Sequence, residues 1–151
     1  MLKAALLEIF ERDLNNLKDE INLYKDEESL WIVTAEVSNS GGNLCLHLIG
    51  NLNHFIGTTL GDSGFVRNRD AEFSSKNIVR ADLISEIENA NSVVKATLNK
   101  LSDEDFGKDF PLEMFGKTFK TNAMLLHLLT HLNYHLGQIN YHRRLLQTSE
   151  K

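Results

Sequence analysis

The chain carries one cysteine, one proline and no long apolar run in 151 residues. Each scarcity removes a class of protein. A lone Cys45 can neither close an intramolecular disulfide nor form a C-x-x-C pair, so nothing asks for an oxidising compartment, and the cytoplasm is the expected location. No stretch approaches the roughly 18 to 20 apolar residues of a membrane span. The N-terminal MLKAALLEIFERDL interrupts its apolar residues with Lys3, Glu8, Glu11 and Arg12, unlike the core of a signal peptide. Positive charge is also short: 16 Lys and Arg stand against 21 Asp and Glu, a formal net charge of −5. Phosphate backbones repel such a chain, which excludes nucleic acid as an expected partner. Several catalytic signatures are missing too: there is no H-E-x-x-H, no E-x-x-H pair, no Walker loop and no G-x-S-x-G.

With Pro111 as the one proline, helices can run unbroken, and apolar residues recur mostly at helical spacing. Four long helices are expected, from about 2 to 24, 43 to 60, 79 to 101 and 121 to 147. The first gathers Leu2, Leu6, Ile9, Phe10, Leu17, Ile21 and Tyr24 on one face. The second starts after Ser40-Gly41-Gly42, capped by Ser40 or Asn43, with Gly61 as its terminating residue. The third has the stripe Leu83, Ile87, Val94, Leu98 and Leu101. An all-α, four-helix bundle with long connecting loops follows, as one domain spanning residues 1–151. Of the connections, 25–42 should press Trp31, Ile32 and Val33 against the bundle ends. The segment 61–77 should lie over one end with Arg67, Arg69, Asp70 and Glu72 as a salt-bridged loop, and Gly116 marks a turn between two short extended pieces.

Three of six histidines crowd the string THLNYHLGQINYHRRLL, Thr130 to Leu146. His131 and His135 are one turn apart on the expected helix, about 6 Å along its axis, close enough to share an ion. His127, Gln138 and His142 fall near the same azimuth, beside the apolar stripe Leu125, Leu128, Leu132, Leu136 and Ile139. Two histidines make a weak site, since metal ions usually take at least a third protein ligand. The second helix offers His47 and His54, about 10 Å apart along the axis, so only one can join. Cys45 points about 160° away from His47 and is expected to be structural.

The string His131-x3-His135-x-Gly137-Gln138-Ile139, an isolated histidine early in the second helix and the loop VRNRDAEF together resemble the DinB-like four-helix metalloproteins, most closely a functionally uncharacterised subgroup. The resemblance covers nearly the whole chain. It implies a metal held by His47, His131 and His135, leaving His54, His127 and His142 structural, and it implies a homodimer. Gln138, Asn51, Arg67 and Arg69 are the expected supports of the ligands or of a substrate. No carboxylate lies on either histidine stripe, so no acid or base is assigned; Asn51 and Tyr134 are the nearest polar groups.

Three neutral imidazoles leave a divalent ion its full charge and an open position, as in catalytic rather than structural sites. Zinc, nickel, iron and manganese all suit this donor set. Such an ion can activate water for a hydrolase, or stabilise a thiolate for an S-transferase. Characterised members of the resembled family include thiol-dependent transferases, which implies a small-molecule substrate and a low-molecular-weight thiol. The competing expectation is a non-catalytic, self-associating bundle that binds a metal or ligand.

Overall fold

Helical spacing of apolar residues becomes four long helices and one short one. The computed structural model describes residues 1–147; residues 148–151, the end of the expected domain, lie outside the described residues. Helix α1 runs Leu2–Leu23, α2 Gly41–Leu52, α3 Arg69–Ser74, α4 Arg80–Lys100 and α5 Thr121–Gln147. Among the described residues, extended pairing is limited to three isolated bridges, Thr34 with Val37, Asp109 with Lys120 and Met114 with Lys117. Also among them, no helix is long and apolar enough to cross a membrane. The all-α bundle expected from the sequence is the observed class.

α1 packs against α4 and α5, and α2 packs against the same two helices, so the order around the bundle is α1, α4, α2, α5. Cross-links fix the directions. Asn133 donates to Asp13 at 2.5 Å and Asn140 donates to Glu20 at 2.7 Å, and both members advance by seven residues, so α1 and α5 run parallel. Gly41 lies against His142 while His47 lies beside His131, so α2 runs antiparallel to α5. Lys95 pairs with Glu11 and Lys18 with Glu88, so α4 opposes α1. Neighbours α2 and α4 are therefore parallel, and the chain must travel back along the bundle between them. That return is what makes the connection long, and it carries α3 along the flank of α2.

The core follows the expected stripes, with corrections at their ends. Leu6, Phe10, Leu17, Ile21 and Tyr24 are buried on α1, joined by Leu14, while Leu2 at the helix start is exposed and Ile9 half-buried. On α4, Leu83, Ile87, Val94 and Leu98 are buried, with Leu101, the residue after the last turn, half-buried. Burying each such side chain contributes about 1.5–3 kcal/mol, the main favourable term of the fold. Leu30 and Trp31 are buried in a 3-10 turn at Glu28–Trp31. Ile32 and Val33, expected to press on the bundle, stay 40% and 45% exposed because the backbone extends outward at Ile32 toward the Thr34–Val37 bridge.

α2 is capped by Ser40, whose Oγ accepts from the Asn43 amide at 3.1 Å. Beyond Leu52 it widens into π-helical turns over Asn53–Thr58. The left-handed residue is Asp62 at φ 52, and not the expected Gly61; a short polar side chain is one of the few that tolerate this conformation. The turn expected at Gly116 is present, with Phe115 and Gly116 at φ 55 and 70.

One glycine is demanded by close approach at the loop junction. A Cβ on Gly41 would stand 2.0 Å from the Tyr24 hydroxyl and 2.7 Å from its ring. Tyr24 is itself fixed: its hydroxyl donates to His142 Nδ1 at 2.7 Å, and His142 Nε2 donates to the Ile32 carbonyl at 3.0 Å. Overpacking of this kind costs about 1–3 kcal/mol and outweighs the few tenths to about 1 kcal/mol that alanine gains over glycine in a helix. Gly41→Ala is therefore expected to lower stability by about 1–2 kcal/mol, read as a shift of the urea midpoint at constant slope.

Candidate metal centre

Antiparallel packing of α2 on α5 brings one histidine of the first helix to two of the second. His47 Nε2 lies 3.2 Å from His131 Nε2, and His135 Nε2 lies 3.1 Å from that same atom. One nitrogen from each of the three rings falls within 4.8 Å of the others. Nitrogens bound tetrahedrally at about 2.0–2.1 Å from zinc stand about 3.3–3.4 Å apart, so the spacing suits imidazoles sharing one ion. His47 is buried, and His131 and His135 are half-buried.

The outer partners of these rings fix their proton positions. His47 Nδ1 is 3.0 Å from Glu72 Oε1; an ionised carboxylate can only accept, so Nδ1 carries the hydrogen and Nε2 presents a lone pair to the cluster. His135 Nδ1 donates to Gln138 Oε1 at 2.7 Å, with the same result. His131 therefore faces two lone pairs through Nε2, while its Nδ1 is buried without a partner among the described residues. A single proton on His131 Nε2 is shared between two acceptors and leaves Nδ1 orphaned. A cation at the meeting point accepts a lone pair from all three rings, with the His131 hydrogen then on Nδ1.

Glu72 was not among the expected ligand supports, and α3 is what delivers it. Asn68 caps α3 by accepting from the Ala71 amide at 3.1 Å, and Asn43 of α2 donates to the Glu72 and Ser75 carbonyls at 3.0 and 2.8 Å. The Glu72 carboxylate, 7% exposed, receives Arg67 Nε at 2.8 Å and Nη2 at 2.9 Å as a two-pronged pair. It lies against the backbone of α2 at Gly50, where a Cβ would meet Oε2 at 1.9 Å. Histidine ligands in metal sites commonly donate to a carboxylate in this way.

The other expected residues separate. Arg67 reaches the cluster through Glu72, completing part of the expected salt-bridged loop. Arg69 does not join it: the residue is exposed, with its guanidinium 5.3 Å from the Phe73 ring centre. Asn51 is buried one turn after His47, but among the described residues its Oδ1 has no hydrogen-bond partner and it holds none of the three rings. Tyr134 is exposed, its ring centre 5.2 Å from that of His135, and the Phe73 ring centre is 5.0 Å from that of His47. His54 packs on Phe55, His127 on Phe115, and His142 is the strut described above. Cys45 is fully buried, and burial raises its thiol pKa, as expected for a structural residue.

Burial, and then the neighbouring His135, His47 and His127, push the His131 pKa down to about 4. Burial also lowers those of His47 and His142. Between pH 6.5 and about 4 the unfolded chain takes up a proton at His131 that the folded chain refuses. Stability therefore falls as pH drops through that window. Chelator-treated protein is expected to melt at a lower temperature at pH 5 than at pH 7.5, and His131→Asn to show a smaller difference between the two.

Residues 4–151 match the model of a family described as "Protein of unknown function (DUF1572)". A comparison with curated proteins gives no match.

Proposed function

We propose that this chain, which belongs to the DUF1572 family, is a DinB-like divalent-metal enzyme that joins a low-molecular-weight thiol to a small molecule. The observation that carries the reading is the convergence of three Nε2 atoms, two of them locked as lone-pair donors by Glu72 and Gln138. His47, His131 and His135 hold the ion. When bound, a divalent ion there supplies a positive centre that stabilises the thiolate form of a thiol.

The chain's own residues do the rest. Glu72 keeps the hydrogen of His47 on Nδ1, and Arg67 holds Glu72 in place with two hydrogen bonds. Gln138 orients His135 from the solvent side. Phe73 packs on the His47 ring and Tyr134 on the His135 ring. Within this reading the enzyme works in the cytoplasm as a homodimer. The net charge of −5 supports a small molecule over nucleic acid as its partner.

Elemental analysis of untagged protein tests the centre, with about one ion per chain expected on the stoichiometry of a three-ligand site. A thiol-consumption screen then tests the reaction, pairing glutathione-like and bacillithiol-like donors with a panel of electrophiles. Stoichiometric metal with no turnover across the panel would return the chain to the class of non-catalytic metal-binding bundles.

A further inference from the structure

Beside the histidine cluster lies a groove that the metal chemistry does not use. It has a volume of about 290 Å³ and runs between the C-terminal half of α5, the first turn of α2 and the segment that follows the Thr34–Val37 bridge. Gln138 lines it, and the same side chain bonds His135, so the groove opens one residue away from the cluster. Val37, Leu44, Tyr141 and Leu145 form apolar walls. Three of these four are among the exposed large apolar side chains of the chain: Val37 at 40%, Tyr141 at 65% and Leu145 at 61%. Isolated apolar side chains on a surface are ordinary, but several gathered around one concavity mark a place where apolar matter binds.

Glu36 is the one acidic or basic side chain in the lining, and Ser38, Asn39 and Gln138 add groups that both donate and accept hydrogen bonds. His142 contributes no charge, because its two ring nitrogens are engaged by Tyr24 and the Ile32 carbonyl. The Arg144 guanidinium sits 5.5 Å from the Tyr141 ring centre and is not part of the lining. A ligand here meets apolar surface and a single negative charge. A carboxylate-bearing thiol is disfavoured in such a groove; an apolar body ending in an ammonium group is favoured.

We propose that this groove seats the acceptor molecule of the reaction, an apolar small molecule with an amine at one end and a polarised C=C bond at the end that reaches the cluster past Gln138, so that the thiol sulfur bonds to one carbon as the π bond breaks and the thiol proton passes to the other. The placement rests on the proposed function of the histidine site, while binding in the groove does not.

Phenethylamine and hydrocinnamate share a phenyl-ethyl body and differ in the charge of the head, so they separate the two contributions. Titrated into the metal-stripped chain and followed by amide chemical shifts, phenethylamine is expected to bind saturably, about fivefold more tightly than hydrocinnamate, the worth of one partly exposed ion pair. Glu36→Gln should bring the two affinities together, and Val37→Arg, which both fills the groove and reverses its charge, should weaken phenethylamine about tenfold. Both positions are exposed, and circular dichroism verifies that the variants fold. Equal affinity for the two probes, saturation by neither, or a preference that survives Glu36→Gln overturns the inference. Failure of the metal reading alone leaves these titrations unchanged, and failure of the groove leaves the metal content unchanged.

Discussion

His131→Ala is expected to leave the purified chain without metal, with content falling from about one ion to less than about a tenth per chain. His131 is the ring that both others touch, at 3.2 and 3.1 Å, so its removal does not merely delete one donor. It leaves His47 and His135, with ring centres 5.1 Å apart, as only two ligands. Loss of a residue that only supports a ligand typically costs 10–100-fold in metal affinity, and loss of the central ligand should exceed that. Folding should survive, because the half-buried imidazole has an unpartnered Nδ1 and gives up little hydrogen bonding when truncated. His54→Ala, His127→Ala and His142→Ala are the controls. Each should retain the ion, and His142→Ala should instead lose stability through its Tyr24 and Ile32 bonds.

Glu72→Ala should produce the largest loss of stability of any single change near the site. It strands the Arg67 guanidinium, 13% exposed, beside Gly50 and His47. Breaking a buried ion pair from one side costs about 3–5 kcal/mol, since the remaining charge stays desolvated. For a chain of this length that corresponds to a fall of about 6–20 °C in melting temperature. Removing both charges in Arg67→Ala with Glu72→Ala should restore much of the stability but none of the metal affinity, which depends on the His47 tautomer and should stay about 10–100-fold weaker. Gly50→Ala offers a third route: its methyl group would occupy the place of Oε2 and push the carboxylate off His47 without altering any charge. If metal affinity is indifferent to Glu72→Ala and Gly50→Ala alike, Glu72 is only a structural partner of Arg67.

The bundle and the His131–His135 pair were legible because both obey the period of the helix, whereas His47 rather than His54 followed from the family resemblance. His131 and His135 share a face by arithmetic, and the same arithmetic limited α2 to one contributor. Glu72 was not legible by that route, since it sits on a six-residue helix within a long connection. No periodic signal marks so short an element, and the contacts that place it are tertiary: Asn43 to two α3 carbonyls and the notch at Gly50. The same limit explains Arg69, indistinguishable in the string VRNRDAEF from Arg67, which lies two residues earlier yet turns toward the cluster. Parallel alignment of α2 with α4 was likewise invisible in hydropathy, although the length of the connection between them was its trace. Gly61 and Asp62 exchanged roles because the widened turns at Asn53–Thr58 shift the end of the helix by a residue.

Burial of Cys45 has a practical corollary for anyone following sulfhydryl loss with a chromogenic disulfide reagent. At 0% exposure the side chain is sealed inside α2's packed face, so the intact chain contributes no background colour and every mole consumed belongs to the added donor. A slow rise in reagent uptake by the protein alone would then report transient opening of the bundle, making the same cuvette a gauge of conformational breathing.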